Sequence, residues 1–139
     1  MAEKLPETIN LEIVTPERQW YCGEVDEVCV PGKEGYLGIL PGHAPLLSEL
    51  KIGVISYRTG GEEHRLYCGW GFAEVLSGQV SILAENAELP DEIDVDKAKE
   101  DRERADALLK SKSSDTDFEE ALELWESAIA RLQAVGGSP

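Results

Sequence analysis

Hydrophobic and polar positions along the first half of the chain repeat mostly with a period of two. Residues 8 to 14 place Ile9, Leu11 and Ile13 on one face and Asn10 and Glu12 on the other, the pattern of a half-buried strand that Pro16 ends. A second strand is predicted from Trp20 to Val30. Its parity breaks midway, because Val25 faces away from Val28 and Val30, so a bulge is expected near Asp26-Glu27. Further strands are predicted over Leu46 to Leu50, Ile52 to Arg58, His64 to Trp70, Phe72 to Leu76 and Gln79 to Ala84. Thr59-Gly60-Gly61-Glu62 and Ser77-Gly78 are the hairpin turns between them. Gly69 and Gly71 flank Trp70 and mark a corner between sheets. Short strands separated by turns at this spacing specify a β-sandwich or barrel.

The period then changes. Eleven of the thirteen glycines lie at or before Gly78, and between Gln79 and Val135 there is no glycine and one proline, Pro90. The boundaries are expected at 1–86 for the sandwich, 87–93 for a linker and 94–139 for a helical unit. Asp94 is a suitable N-cap for a helix ending near Lys110, with Val95, Ala98, Ala105, Leu108 and Leu109 as a narrow apolar stripe. Glu100 with Arg104, and Asp106 with Lys110, are favourable pairs four apart. After the polar turn KSKSSD, Thr116 and Glu119 form a capping box for a second helix. Its stripe is Phe118, Ala121, Leu122, Trp125, Ala128, Ile129 and Leu132, and Gly136-Gly137 stops it. Two such helices make an antiparallel hairpin. Its stripe is rich in alanine and buries modest area, so it must rest on the sandwich or on a partner, and it can undock.

Charge and composition narrow the function. A net charge of −15 argues against nucleic acid and against adhesion to anionic lipid, and favours a basic protein surface as partner. No apolar run reaches the ~20 residues that span a bilayer, and MAEKLPETIN lacks a signal-peptide core, so a cytosolic chain is expected. Cys22, Cys29 and Cys68 form no CxxC pair and read as free thiols. No P-loop motif, no metal-ligand spacing and no nucleophile–base set occurs, so no catalytic residue, metal or cofactor is expected. His64 reads as a surface residue and His43 as a source of a turn-stabilising hydrogen bond. Trp70 and Trp125 read as core or domain-interface residues.

One stretch stands apart, Gly32 to Gly53, GKEGYLGILPGHAPLLSELKIG. Its glycines and prolines rule out a helix interior, and it reads as a tight, specified loop leading into the strand at Leu46. Gly35 and Gly38 suit close backbone approach or positive φ, and Pro41-Gly42 is a turn dipeptide. Physically this is a well-packed hairpin with no chemistry of its own. It also resembles the signature of the epsilon subunit of bacterial rotary, F-type ATP synthases, matched at Gly35, Gly38, Ile39, Pro41, Gly42, His43, Ala44, Pro45, Leu46 and Leu47. A second family segment is matched at Gly69, Gly71 through Val75, Val80, Leu83 and Ala84, with Trp70 where glycine or serine is more usual.

The resemblance covers nearly the whole chain and implies a β-sandwich of about ten strands followed by an α-helical hairpin. It implies a non-catalytic central-stalk subunit, peripheral on the cytoplasmic face of the bacterial plasma membrane. Such a subunit binds gamma and the c ring and couples proton-driven rotation to ATP synthesis from ADP and phosphate. In many members the hairpin extends toward the alpha and beta catalytic subunits and restrains ATP hydrolysis. The partner contacts expected here are Tyr36, Leu37, Ile39, Pro41, His43 and Leu46 with an adjoining sandwich face. Some members bind ATP at a motif opening the first helix. Here the corresponding Asp94, Lys97 and Ala98, with Arg131 on the second helix, carry lysine at the arginine position and an added Asp96, so a weak site or none is expected. The rival readings are a small β-sandwich enzyme and a free-standing binding module whose helical hairpin drives dimerisation.

Overall fold

The structure, a computed structural model, describes residues 7–111 and 115–136. Ten strands form one sheet folded into two layers: β1 (Ile9–Val14), β2 (Gln19–Val25), β3 (Glu27–Gly32), β4 (Gly35–Ile39), β5 (Leu46–Leu50), β6 (Gly53–Thr59), β7 (Glu62–Cys68), β8 (Gly71–Leu76), β9 (Gln79–Ala84) and β10 (Ala87–Glu88). A 3-10 turn, Pro90–Glu92, leads to helices α1 (Val95–Lys110) and α2 (Asp115–Ala134). The strand order is β10-β7-β6-β3-β5-β8-β9-β1-β2, with β4 on the other side of β3. The layer built from β10, β7, β6, β3 and β4 joins the layer built from β5, β8, β9, β1 and β2 through one β3–β5 residue pair, Gly32 with Leu50. Hydrogen bonds from Lys33 N to Glu49 O and from Lys51 N to Pro31 O, both 2.9 Å, flank that pair.

The inward positions of both layers make one core. Ile9, Leu11, Ile13, Val25, Val28, Val30, Ile39, Leu50, Ile55, Leu66, Ala73, Val75, Val80 and Ile82 are all buried in it. The expected alternation therefore holds in β1, β8 and β9. Among the described residues, no buried side-chain nitrogen or oxygen lacks a hydrogen-bond partner.

The expected long strand from Trp20 to Val30 is two strands. At Asp26 the chain leaves β1 as its partner and joins β6, held by Asp26 N to Arg58 O at 2.7 Å and Gly60 N to Asp26 Oδ2 at 3.1 Å. A change of layer breaks parity as a bulge would. The signature stretch, expected as a loop as far as Leu46, contains β4, which pairs with β3 from Ile39 to Gly35. Gly35 has φ 136°, whereas Gly38 has neither positive φ nor a close neighbour. In the stretch read as linker, Ala87 and Glu88 pair with Cys68 and Tyr67. The corner at Gly69–Gly71 is present, with Gly69 N bonded to Asn86 O at 3.0 Å.

The helices form the expected antiparallel pair, docked on the outer face of β6 and β7. Asp94 caps α1, accepting from Lys97 N at 3.1 Å. α2 rests on the sheet through Ala130 and Ala134, against Val54, Tyr67 and Ile93. α1 packs on α2 rather than on the sheet. Both stripes need correction. Leu108, Phe118 and Leu122 are exposed, while Asp101 on α1 and Ala130 and Ala134 on α2 are buried. Arg104 pairs with Asp101 at 3.2 Å, and Lys97 lies 3.7 Å from the same carboxylate, in place of the expected Glu100–Arg104 pair. The Thr116–Glu119 capping box, residues 112–114 of the polar turn and Gly137 lie outside the described residues and side chains.

Gly71 tests the corner. A Cβ there would fall 2.1 Å from the Leu83 carbonyl oxygen and 2.8 Å from the Ala84 Cα, both backbone atoms. Gly71→Ala is expected to destabilise the fold by about 1–3 kcal/mol in urea denaturation. Gly38→Ala, which meets nothing within 4 Å, is the matched control, expected within about 0.5 kcal/mol of the native chain.

Candidate functional site

Strand register places an apolar row on the outer face of the second layer. Phe72 lies opposite Leu83, and Leu83 opposite Val14, all three pointing away from the core. Leu83 is 58% exposed, Trp70 46% and Phe72 39%, more than a monomer needs to show. The Trp70 ring meets Phe72 edge-on at 4.9 Å. Its Nε1–H donates to Glu49 Oε1 at 2.7 Å, and this hydrogen bond, aided by Lys33, holds the Glu49 carboxyl below its ordinary pKa. Trp70, Phe72 and Leu83, with Val14, Thr15 and Pro16, line a groove of about 500 Å³. The core or domain-interface role expected for Trp70 is thus corrected. Gly69 and Gly71 give the backbone close contact, while the indole between them faces outward.

The signature stretch borders this face. In β5, Leu47 lies opposite Glu74 and Glu49 opposite Phe72, so Leu47 and Phe72 are diagonal neighbours on one surface. Leu37, Leu46, Leu47 and Tyr36 line a second groove of about 500 Å³ between β4 and β5. The turn beyond β4 is closed by His43 N donating to Leu40 O at 3.1 Å, with Gly42 at φ 85°. His43 Nδ1 lies 2.7 Å from the Ala44 carbonyl oxygen, the turn-stabilising hydrogen bond expected for it. Pro41 is half-buried, and Leu40 and Leu47 are exposed. Tyr36 exposes much of its ring while its hydroxyl accepts from Val54 N at 3.1 Å. Burial of that end raises the phenol pKa. Ile39 is different from its neighbours, since at 1% exposure its side chain belongs to the core and offers no surface.

A third cluster sits where the helices meet the sheet. Asp94, Lys97, Ala98 and Arg131, expected together, do line one cavity of about 180 Å³. Glu88 and Asp101 complete it. Arg131 Nε donates to Glu88 Oε2 at 2.7 Å, and its guanidinium lies 4.3 Å from the centre of the Tyr67 ring. Burial pushes the Tyr67 hydroxyl pKa up, against a hydrogen bond with Ser127 that acts the other way. The cavity holds three carboxylates and two cations, both cations already paired. No group of three or more potential metal ligands occurs among the described residues.

The free thiols are Cys22, exposed, Cys29, half-buried, and Cys68, buried. Burial raises the pKa of Cys68 to about 12, so it stays a thiol. No helix is long and apolar enough to cross a membrane among the described residues.

Phe72 and Leu83 enter the sequence reading only within a family segment, with no role, and Glu88 and Asp101 are not expected at any site. The outward parity of Phe72 and Leu83 was available, since Ala73, Val75, Val80 and Ile82 define the inward set. Glu88 and Asp101 carried no such signal.

Comparison with known proteins agrees with this architecture. Residues 8–90 match the family described as ATP synthase, delta/epsilon chain, beta-sandwich domain, and residues 91–136 match its long alpha-helix domain. The ATP synthase epsilon chain of Koribacter versatilis is 51% identical over 107 residues, 77% of this chain and 75% of that one. That of Desulforamulus reducens is 41% identical over 130 residues, 94% of this chain and 98% of that one. A chain in the cryo-EM structure of the Euglena gracilis mitochondrial ATP synthase, OSCP/F1/c-ring in rotational state 1, superposes with a TM-score of 0.80 at 27% identity. The match covers 94% of this chain and 84% of that one. With a sandwich and a helical pair each matched along its length, the chain belongs to the ATP synthase delta/epsilon family, as an epsilon chain.

Proposed function

We propose that this epsilon chain is a non-catalytic component of the central stalk, on the cytoplasmic face of a bacterial plasma membrane. It docks on gamma through the Trp70–Phe72–Leu83 face and on the c ring through the signature turn and groove. Rotation of a proton-driven ring then passes through it toward ATP synthesis from ADP and phosphate. The observation that carries this reading is the outward apolar row on β8, β9 and β1, bordered by Leu47 and the groove at Leu46. Such a face is stable in water when a partner covers it. The Euglena gracilis chain that it resembles is part of an assembly containing F1 and a c ring, which supports the same placement. Tyr36, Leu37, Pro41, His43 and Leu46 belong to the proposed contact region, with Ile39 supporting it from inside the core.

The helical pair rests on the opposite layer, on β6 and β7. Removing residues 94–139 is therefore expected to leave gamma binding within about threefold of the full chain, because the sandwich keeps its own core. Phe72→Asp and Leu83→Asp in the full chain are expected to weaken it at least about tenfold. A folded truncated chain that no longer binds gamma overturns the assignment.

The cavity at Arg131 is poorly suited to ATP. Phosphate would have to displace Glu88 from Arg131 and approach Asp94 and Asp101, and Lys97 lacks the planar fork of arginine. Calorimetry of the isolated chain is expected to give a dissociation constant for ATP above about 1 mM. Micromolar binding contradicts this.

The exposed face of α2 bears Asp117, Glu119, Glu120 and Glu123, and the helix has one basic residue, Arg131. Extension toward an acidic surface on the catalytic subunits would bring like charges together and uncover the helix–sheet contact. The docked pair is the favoured state, and inhibition of hydrolysis by extension is weak. Ending the chain at Glu92 is expected to raise ATP hydrolysis by the assembled complex by less than about twofold. A large activation that persists at high salt shows that apolar contacts, not charge, decide the conformation.

A further inference from the structure

Two elements carry three carboxylates into one small cavity: Glu88 on β10, and Asp94 at the start and Asp101 on the buried side of α1. Brought together by packing, they repel. Lys97 and Arg104 answer Asp101 from the same helix and so do nothing to join helix to sheet. Of the two cations that line the cavity, Arg131 is the one that crosses between elements. It comes from α2, bonds Glu88 on β10 at 2.7 Å, and covers the face of Tyr67 on β7 at 4.3 Å. Both partners of the ion pair are largely shielded, with side-chain exposures of 25% and 29%, so water and salt screen it less than the surface pairs elsewhere.

On the helix side the apolar part of the same contact is slight. It consists of Ala130 and Ala134 against Val54, Tyr67 and Ile93, with Ile52 at its edge. Arg65 adds one bond, from Nη1 to the Gln133 carbonyl oxygen at 3.3 Å, near the negative end of the helix. α1 has no comparable hold on the sheet and follows α2.

We propose that Arg131 is the latch of the helical pair. Its guanidinium, shared between Glu88 and the Tyr67 ring, neutralises an otherwise repulsive acidic cavity and sets how often α1 and α2 leave the sandwich together. This goes further than the proposed function in naming the group that controls the movable element, and it rests on the helical pair being that element. The device is sensitive to charge: without Arg131 the cavity keeps three carboxylates, and the remaining cations, Lys97 and the neighbouring Arg104, both answer Asp101.

Hydrogen exchange of the full, isolated chain, read by mass spectrometry, tests it without gamma, so its outcome is independent of the stalk assignment. Arg131→Gln and Glu88→Gln are each expected to speed exchange in α1 and α2 about tenfold, in parallel, with β1 and β9 unchanged. The double variant is expected to be no faster than the faster single one, because both break one interaction. Arg131→Lys, which keeps charge but not the fork or the ring contact, is expected to lie between. High salt is expected to speed exchange of the helices in the native chain and not in the double variant. Helix exchange within twofold of the native chain in Arg131→Gln and Glu88→Gln, or additive effects of the two, overturns the latch. Equal acceleration of β1 and β9 also overturns it, since Arg131 would then support the whole fold rather than the docking. Should Arg131→Gln fail to fold, Glu88→Gln and Arg131→Lys carry the same comparison.

Discussion

Contact between the two layers at Gly32 and Leu50 constrains the rest of the molecule. A Cβ on Gly32 would fall 2.7 Å from the Gly35 carbonyl oxygen, so the tight turn into β4 and the handover to β5 occupy the same space. From that point the chain builds the second layer, and β1 and β2, first in sequence, close it as a parallel neighbour of β9 and its antiparallel partner. The outer face of each layer is thereby left for a different task. On β6 and β7 it receives the helices, and on β8 and β9 it stays open.

This division separates two kinds of contact that differ in character. The open face presents large side chains, Trp70, Phe72 and Leu83, held by ring packing and by the Glu49 hydrogen bond. Aromatic anchors of that size suit a durable interface. The helices meet the other face through small side chains of their own, Ala130 and Ala134, and one shielded ion pair. This arrangement suits a contact that forms and breaks. A sandwich fixed to a rotating partner on one side and lightly covered on the other can hold its place while the helices move.

The strand pattern was legible wherever one face is buried, as in Ile9, Leu11 and Ile13, because a period of two has no other common source. It failed at Asp26, where a change of layer and a bulge shift parity alike and only the long-range partner distinguishes them. It failed again in α2, read as one stripe. That helix buries two faces, one toward α1 and one toward the sheet, and alanine buries without marking a pattern. Trp70 was misread because a large ring reads by default as core, and the corner that its glycine neighbours mark says nothing of where the indole between them points. The site at the helix–sheet junction was half legible. Arg131, Asp94 and Lys97 could be grouped by the resemblance, whereas Glu88 lay in a stretch whose pairing with β7 no local pattern announces.

The alanine-lined seat of α2 has a consequence for solubility. When Ala130 and Ala134 lift from Val54 and Tyr67, the helix lays bare only small side chains, and on the sheet the Tyr67 ring is the main apolar surface uncovered. The sheet edge beside it stays covered, since β10 remains paired to β7. With a net charge of −15 holding neighbouring copies apart, the opened chain has little means to aggregate. A seat made of larger residues would hold the helices more firmly and would turn each opening into an exposure of sticky surface. Small side chains make the movement one that a crowded cell tolerates many times over.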